Sequence, residues 1–265
     1  MVRKELVLRL NDRDYKNWLK AGRCLLILKE GLHPFINQQM KAFHRDLLNQ
    51  NDLLRKPCHT SSCKPSGNKL SSTCRLCTEW QKVILRHHRQ PDATVNWDNC
   101  SPPSWRTDHW ELAKVIRYRN ELMHSCEMRV KDEWMRHYQT TLKKFVRQFS
   151  HIPQMATAGQ QIDEMLRADF SIWVSGVDQM DSVDLKGLES DSVRTGMSSA
   201  ELISQWEAEL LQERLQELLH DDDYDAKTQH PEQLTSLGVF LQANRDLSVK
   251  FSAELQAINA LETKD

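Results

Sequence analysis

Apolar side chains recur at steps of three and four along most of this chain, and the breaks between those runs define its segments. Tyr15, Trp18, Leu19, Gly22, Leu25 and Leu26 form the first run, so residues 12–30 read as an amphipathic helix. Phe35, Ile36, Met40, Phe43, Leu47 and Leu48 repeat the pattern after Gly31 and Pro34, two helix breakers, which predicts an αα-hairpin with a short turn. Periodicity vanishes over 49–73, a stretch of Ser, Pro, Lys and Cys, and returns at Cys77, Trp80, Val83, Ile84 and His87. Pro91, Pro102 and Pro103 make 90–107 a loop. Two more helices are expected at about 108–124 and 131–150, the second with Trp134, Tyr138, Leu142, Phe145 and Phe149 on one face. Together these segments carry enough apolar stripe to close one helical bundle over 1–152.

Beyond the bundle, 153–198 reads as a short helix followed by a flexible acidic linker, since 174–198 has little apolar periodicity. Leu202, Ile203, Trp206, Leu210, Leu211, Leu215 and Leu218 then mark one helix, which stops at Asp221-Asp222-Asp223. Leu237, Leu241, Phe251, Leu255, Ile258 and Leu261 mark a last helix from about Pro231. Residues 199–265 therefore predict a C-terminal helical hairpin or short coiled coil, packed on itself or binding a partner helix. The fold class is all-α, and only 8 Gly and 8 Pro in 265 residues agree with it.

Composition changes the picture in two ways. The start lacks the apolar stretch of a signal peptide, and the longest apolar run, CLLIL, is too short to span a membrane. That predicts a soluble protein of the cytosol or nucleus without membrane contact, whose seven Cys are thiols or metal ligands rather than disulfides. The net charge of −1 also hides an asymmetry. Residues 1–151 hold 28 Lys and Arg against 15 Asp and Glu, a net of +13, while 152–265 hold 8 against 22, a net of −14. A basic half suits a polyanion such as RNA, and the acidic half repels the same partner or shields the basic half.

The stretch RYRNELMH, 117–124, carries candidate chemistry. Arg119 and His124 lie about 140° apart on an ideal helix and share a face only if the helix frays near His124. Asn120, four residues before His124, can reach it. Arg119 suits a scissile phosphate through two parallel hydrogen bonds. His124 suits proton transfer to or from a 2′-hydroxyl or a leaving oxygen, with no metal required. Lys131, Arg136, His137, Lys143, Lys144 and Arg147 on the polar side of the following helix form either a groove for a single strand or a solubilising face.

Arg119-Asn120-x-x-x-His124, at the end of a helix and followed by one more long helix, resembles the signature of the HEPN superfamily. The stretches DYKNWLKAGRCLLIL, CRLCTEWQKVILRHH, VNWDNCSPPSW and VIRYRNELMHSCEM are similar to a HEPN-like region related to that of a DAZ-interacting zinc-finger protein. The resemblance implies a helical bundle associated with RNA. It also implies a catalytic set Arg119, Asn120 and His124 for metal-independent cleavage, built across a two-fold homodimer. One departure bears on catalysis. In the family an extra helical segment separates the counterparts of TDHWELAK and VIRYRN, whereas here Lys114 runs straight into Val115. That favours RNA binding without cleavage over an active endoribonuclease. The alternative, from a different class, is a nonenzymatic adaptor that binds a protein partner through its C-terminal helices.

Four cysteines make the other candidate site. Cys58-x4-Cys63, ten residues, then Cys74-x2-Cys77 supplies two close pairs of thiolates on short loops, which can complete a tetrahedral site and favours a structural Zn²⁺ within a loop spanning 58–100. His59, His87, His88 and Cys100 are alternative ligands. Trp97, Trp105 and Trp110 can stack bases or fold back on the bundle. Cys24 and Cys126 read as buried or half-buried thiols.

Overall fold

A computed structural model of the chain describes residues 2–60, 63, 74–87, 100–102, 110–170, 199–220 and 231–262. The fold is all-α. In chain order come α1 (Val2–Leu10), α2 (Arg13–Gln50), a 3₁₀ turn at Asp52–Arg55, α3 (Arg75–His87), α4 (Trp110–Met123), α5 (Asp132–Gln148) and α6 (Pro153–Arg167). They are followed by α7 (Ser199–His220), α8 (Pro231–Ala243), α9 (Arg245–Lys250) and α10 (Ser252–Glu262). No helix among the described residues is long and apolar enough to cross a membrane. The expected linker over 174–198, the acidic run 221–223 and most of the 90–107 loop lie outside the described residues.

Two helix expectations are corrected. The hairpin over 12–48 is one continuous helix of 38 residues with Pro34 in its interior. Proline removes a single N–H donor and holds a helix-compatible φ, and both flanking runs carry apolar stripes of their own. Gly31 is there for close approach: a Cβ on it would stand 2.8 Å from the Ala158 Cβ of α6. The single last helix from Pro231 is three helices, interrupted at Asn244 and Phe251, with α8 packed against both α9 and α10.

The chain divides into two compact units, residues 1–31 with 111–265, and residues 32–110. These boundaries differ from a bundle ending at 152 and a separate C-terminal hairpin, and the packing shows why. In the larger unit, Met135, Tyr138, Leu142 and Phe145 of α5 are buried, as are Met155, Ala158, Ile162 and Met165 of the adjoining α6, so 153–167 is a core helix. Pro153 starts it, where the missing N–H costs nothing. Trp206, Glu207, Ala208, Leu210 and Leu211 of α7 are all buried, which covers most of the helix's circumference. A helix buried on most sides belongs to an interior rather than to a two-stranded coil. Leu210 fits over Gly22 of α2 so closely that a Cβ there would meet its side chain at 2.1 Å.

A buried ionic network joins the ends of the chain inside this unit. Arg9 Nε and Nη2 donate to the two Glu207 carboxylate oxygens at 2.7 Å each, and Nη1 and Nη2 donate to Asp246 at 2.9 and 2.8 Å. Tyr15 donates its hydroxyl to Glu207 at 2.6 Å, and Glu5 accepts the Asp246 amide at 2.8 Å. One guanidinium thus locks α1 to both α7 and α9.

The smaller unit has a hydrophobic cluster among its described residues. Phe43, Leu47 and Leu54 are buried, with Met40, Leu48, Trp80 and Val83 packed on them. His44 stacks on Trp80 with ring centroids 5.5 Å apart.

Candidate functional site

Arg119 sits just before the last turn of α4, and the helix ends at Met123, one residue before His124. The helix stops where sharing a face required it to. The His124 amide still donates to the Asn120 carbonyl at 2.8 Å, while Asn120 Oδ1 accepts from Arg119 Nη1 at 3.3 Å. Arg119 Nη1 and Nη2 each donate to one carboxylate oxygen of Glu217 at 2.6 Å. His124 Nε2 lies 3.4 Å from the same Glu217 Oε1. Arginine and histidine therefore converge on a single oxygen of a carboxylate from α7. Their side chains are partly accessible, at 40% for Arg119 and 31% for His124.

Glu217 is the last rung of a ladder. Along α7, Glu207 meets Arg9 and Tyr15, Glu209 meets Arg23 at 3.1 Å, Glu213 meets Lys29, and Glu217 meets Arg119. The opposite charges of the two halves of the chain are thus partly satisfied inside one unit. Arg214, one turn before Glu217, is fully buried, and its Nη2 donates to the Ser125 carbonyl next to His124. Its Nε and Nη1 have no hydrogen-bond partner among the described residues. Burial pushes this guanidinium down to about 10, against the favourable nearby charges of Cys126 and Glu217. Sequence reasoning missed Glu217 and Arg214. The available signal was the repeat of acids at 209, 213 and 217, one helical turn apart.

The basic set on and beside α5 lies outside this ladder. Lys131, Arg136, Lys143, Lys144 and Arg147 are all exposed. Lys131 pairs with Asp14 and Lys143 with Asp163 at 2.9 Å. Such surface pairs contribute about 0–1 kcal/mol and yield readily to a stronger anion.

The cysteine cluster is in the smaller unit. Cys58, Cys63, Cys74 and Cys77 place their sulfurs within 4.8 Å of one another, close enough to hold a metal ion. Cys58 and Cys74 sulfurs are 3.7 Å apart. A tetrahedral Zn–S₄ centre with bonds of about 2.3 Å sets its sulfurs about 3.8 Å apart, so the donors fit. Cys63 Sγ accepts the Cys74 amide at 3.4 Å. Cys74 is pushed down to about 7, first by the Cys77 backbone N–H and then by neighbouring thiols, while Cys77 is pushed the other way, chiefly by desolvation. Of the alternative ligands, Cys100 is buried with Sγ 3.6 Å from the Ile84 carbonyl, and His87 meets the Phe43 ring edge-on at 5.1 Å. His59 is exposed and outside the cluster; His88 lies outside the described residues. The side chains of Trp97, Trp105 and Trp110 also lie outside them.

Cys24 is buried and desolvation drives its thiol well up, whereas Cys126 is exposed, against expectation, because the chain after Met123 leaves the helix. Cys126 lines an open groove of about 600 Å³ with Leu8, Tyr15, Met128, Val239 and Phe240. Leu8 and Val239 are 69% and 61% exposed there.

Comparison with known proteins adds the following. The chain is similar to a mouse protein named Uncharacterized protein CXorf38 homolog, 31% identical over 306 residues, covering 98% of this chain and 93% of that protein. No solved structure matches it. The model of a domain of unknown function, DUF4559, matches in two pieces, residues 9–117 and 114–265, so the chain belongs to the DUF4559 family.

Proposed function

We propose that this chain is a HEPN-like, RNA-associated protein. Arg119 and His124 seat a backbone phosphate, the exposed bases of α5 guide the strand, and a structural zinc on the four cysteines holds the smaller unit together. The convergence of Arg119 and His124 on one carboxylate oxygen carries the reading. An acidic oxygen already sits where the Arg119 guanidinium and the His124 imidazole meet, and a phosphate oxygen is likewise an anionic hydrogen-bond acceptor. Arg119 binds with two parallel donors and fixes orientation, and His124 supplies a third polar contact. Exposed Lys143, Lys144 and Arg147 add the sequence-independent attraction that dominates nucleic-acid affinity.

Binding without cleavage is the form carried forward. The family match in two pieces that overlap at 114–117, and an alignment longer than this 265-residue chain, support a missing internal segment immediately before the motif. Such a loss shifts Arg119 and His124 relative to a second copy in a two-fold dimer, where a composite catalytic site would form.

The test is fluorescence anisotropy of a labelled single-stranded RNA across a salt series. The wild-type chain binds, and the slope against salt is steep. Arg119→Ala weakens binding about tenfold, the scale of one lost charged hydrogen bond. Reversing Lys143, Lys144 and Arg147 flattens the salt slope. No retention at low salt overturns the reading and leaves the second one, an adaptor whose partner occupies the groove at Leu8 and Val239 between α1 and the C-terminal helices.

A further inference from the structure

We infer that Glu217 is a built-in competitor of the anionic ligand, so that the last turn of α7 gates the Arg119/His124 site. This rests on the phosphate-site reading above and adds regulation to it. Both Arg119 nitrogens that would hold a phosphate are engaged by Glu217 at 2.6 Å, and the oxygen nearest His124 is the same one. Ligand and Glu217 cannot occupy these donors together.

Three observations make the carboxylate a removable plug rather than a permanent strut. Glu217 lies in the last turn of α7, where its negative charge opposes the helix dipole, so its seat depends on the cations across from it. The side chains of the pair are accessible, at 40% for Arg119 and 23% for Glu217, so an approaching anion reaches them. Arg214 anchors the preceding turn independently, by donating to the Ser125 carbonyl from a fully buried position. Helix α7 is further held at Gly22, Arg9 and Arg23, far along its length from Glu217. The Glu217 side chain can therefore swing out while α7 stays docked, uncovering the Arg119 guanidinium beside the His124 imidazole. Opening uses the ligand's own advantage over the carboxylate, as any ligand that binds one of two states must.

The experiment measures RNA affinity by anisotropy for the wild-type chain, Glu217→Gln, Glu217→Asp, Arg119→Ala and the double variant Arg119→Ala/Glu217→Gln, each checked for an intact thermal transition. Glu217→Gln removes the competing charge and is expected to tighten binding roughly tenfold. Glu217→Asp keeps the charge but is one methylene short of reaching Arg119 and His124 together, so it tightens binding several-fold. It also carries the test if the glutamine variant folds poorly. The gain disappears in the double variant. Wild-type affinity in both Glu217 variants, with Arg119→Ala still weakening binding, overturns the gate and leaves the phosphate site standing. A gain in Glu217→Gln alone overturns it too, because general charge repulsion then accounts for the effect. RNA binding insensitive to Arg119 in every background overturns the gate together with the phosphate site.

Discussion

Stripping metal from the protein with a chelator, or replacing Cys74 by Ser, is expected to unfold residues 32–110 while leaving most of the helical signal of the larger unit. Among the described residues, the smaller unit clusters Phe43, Leu47 and Leu54 with four partly buried neighbours, and Cys100 is buried as well. Units below about 80 residues commonly rely on a staple beside their hydrophobic core. A structural zinc contributes on the order of 10–16 kcal/mol of apparent binding free energy in small zinc domains, all of it coupled to folding. Four sulfurs within 4.8 Å supply the ligands. The purified chain then holds one zinc, chelation abolishes one thermal transition, and amide exchange in α3 rises to that of unfolded chain. Cys100→Ser and Cys126→Ser keep the zinc. A chain that carries no zinc and melts identically with and without chelator contradicts the assignment.

The second large effect is at Arg9. Arg9→Ala leaves Glu207 and Asp246 facing each other without their shared cation, with side chains 0% and 6% exposed. Removing one partner of a buried ion pair costs about 3–5 kcal/mol, and at roughly 2–4 °C per kcal/mol the thermal midpoint of the larger unit falls by about 6–20 °C. Tyr15→Phe, which removes one hydrogen bond to Glu207, costs less. The network also sets an acid limit. Burial alone raises the Asp246 carboxyl, but hydrogen bonds from Arg9 and the Arg9 charge bring it below the ordinary 3.8. A depressed carboxyl contributes stability that is fully present above 3.8 and is lost as pH falls through its lower folded value. The stability difference between the wild type and Asp246→Asn is therefore expected to be constant above pH 3.8 and to shrink as pH falls below it. Arg9 itself is raised further above its ordinary value by Asp246 and Glu207 against desolvation, so it stays charged throughout.

Much of the fold was readable from periodicity. The runs at 75–87, 110–123, 132–148 and 199–220 all became helices, because each carries an apolar stripe at helical spacing that something must cover. Gly31 and Pro34 misled because punctuation residues have two uses. One breaks a helix, and the other lets a neighbour approach, as Ala158 does at Gly31. The C-terminal half misled for a different reason. Its leucines mark a buried face, but which surface covers them depends on Glu207, Glu209 and Glu213 finding Arg9, Arg23 and Lys29 almost two hundred residues away. Charge composition held that information only as a sum over each half.

At the candidate sites, the cysteine spacing was legible because metal-ligand pairs are local in sequence, and the four sulfurs do meet. Arg119 and His124 were legible as a pair, with the helix ending at Met123 to let them converge. Glu217, 98 residues beyond Arg119, was not, since the repeat of acids at 209, 213 and 217 marks a charged face without saying which cation meets it. Arg214 was hidden for the same reason: its spacing matches a surface residue, and only the packing of α7 buries it.

The most direct measurement is nuclear magnetic resonance of the full chain with labelled arginine and histidine side chains, titrated with a short single-stranded RNA. The account predicts that the Arg119 guanidinium and His124 imidazole signals shift together and saturate with the binding isotherm, and that they shift at lower RNA concentration in Glu217→Gln. Saturating RNA that moves only Arg136 and Arg147 signals, with Arg119 and His124 unchanged, contradicts it.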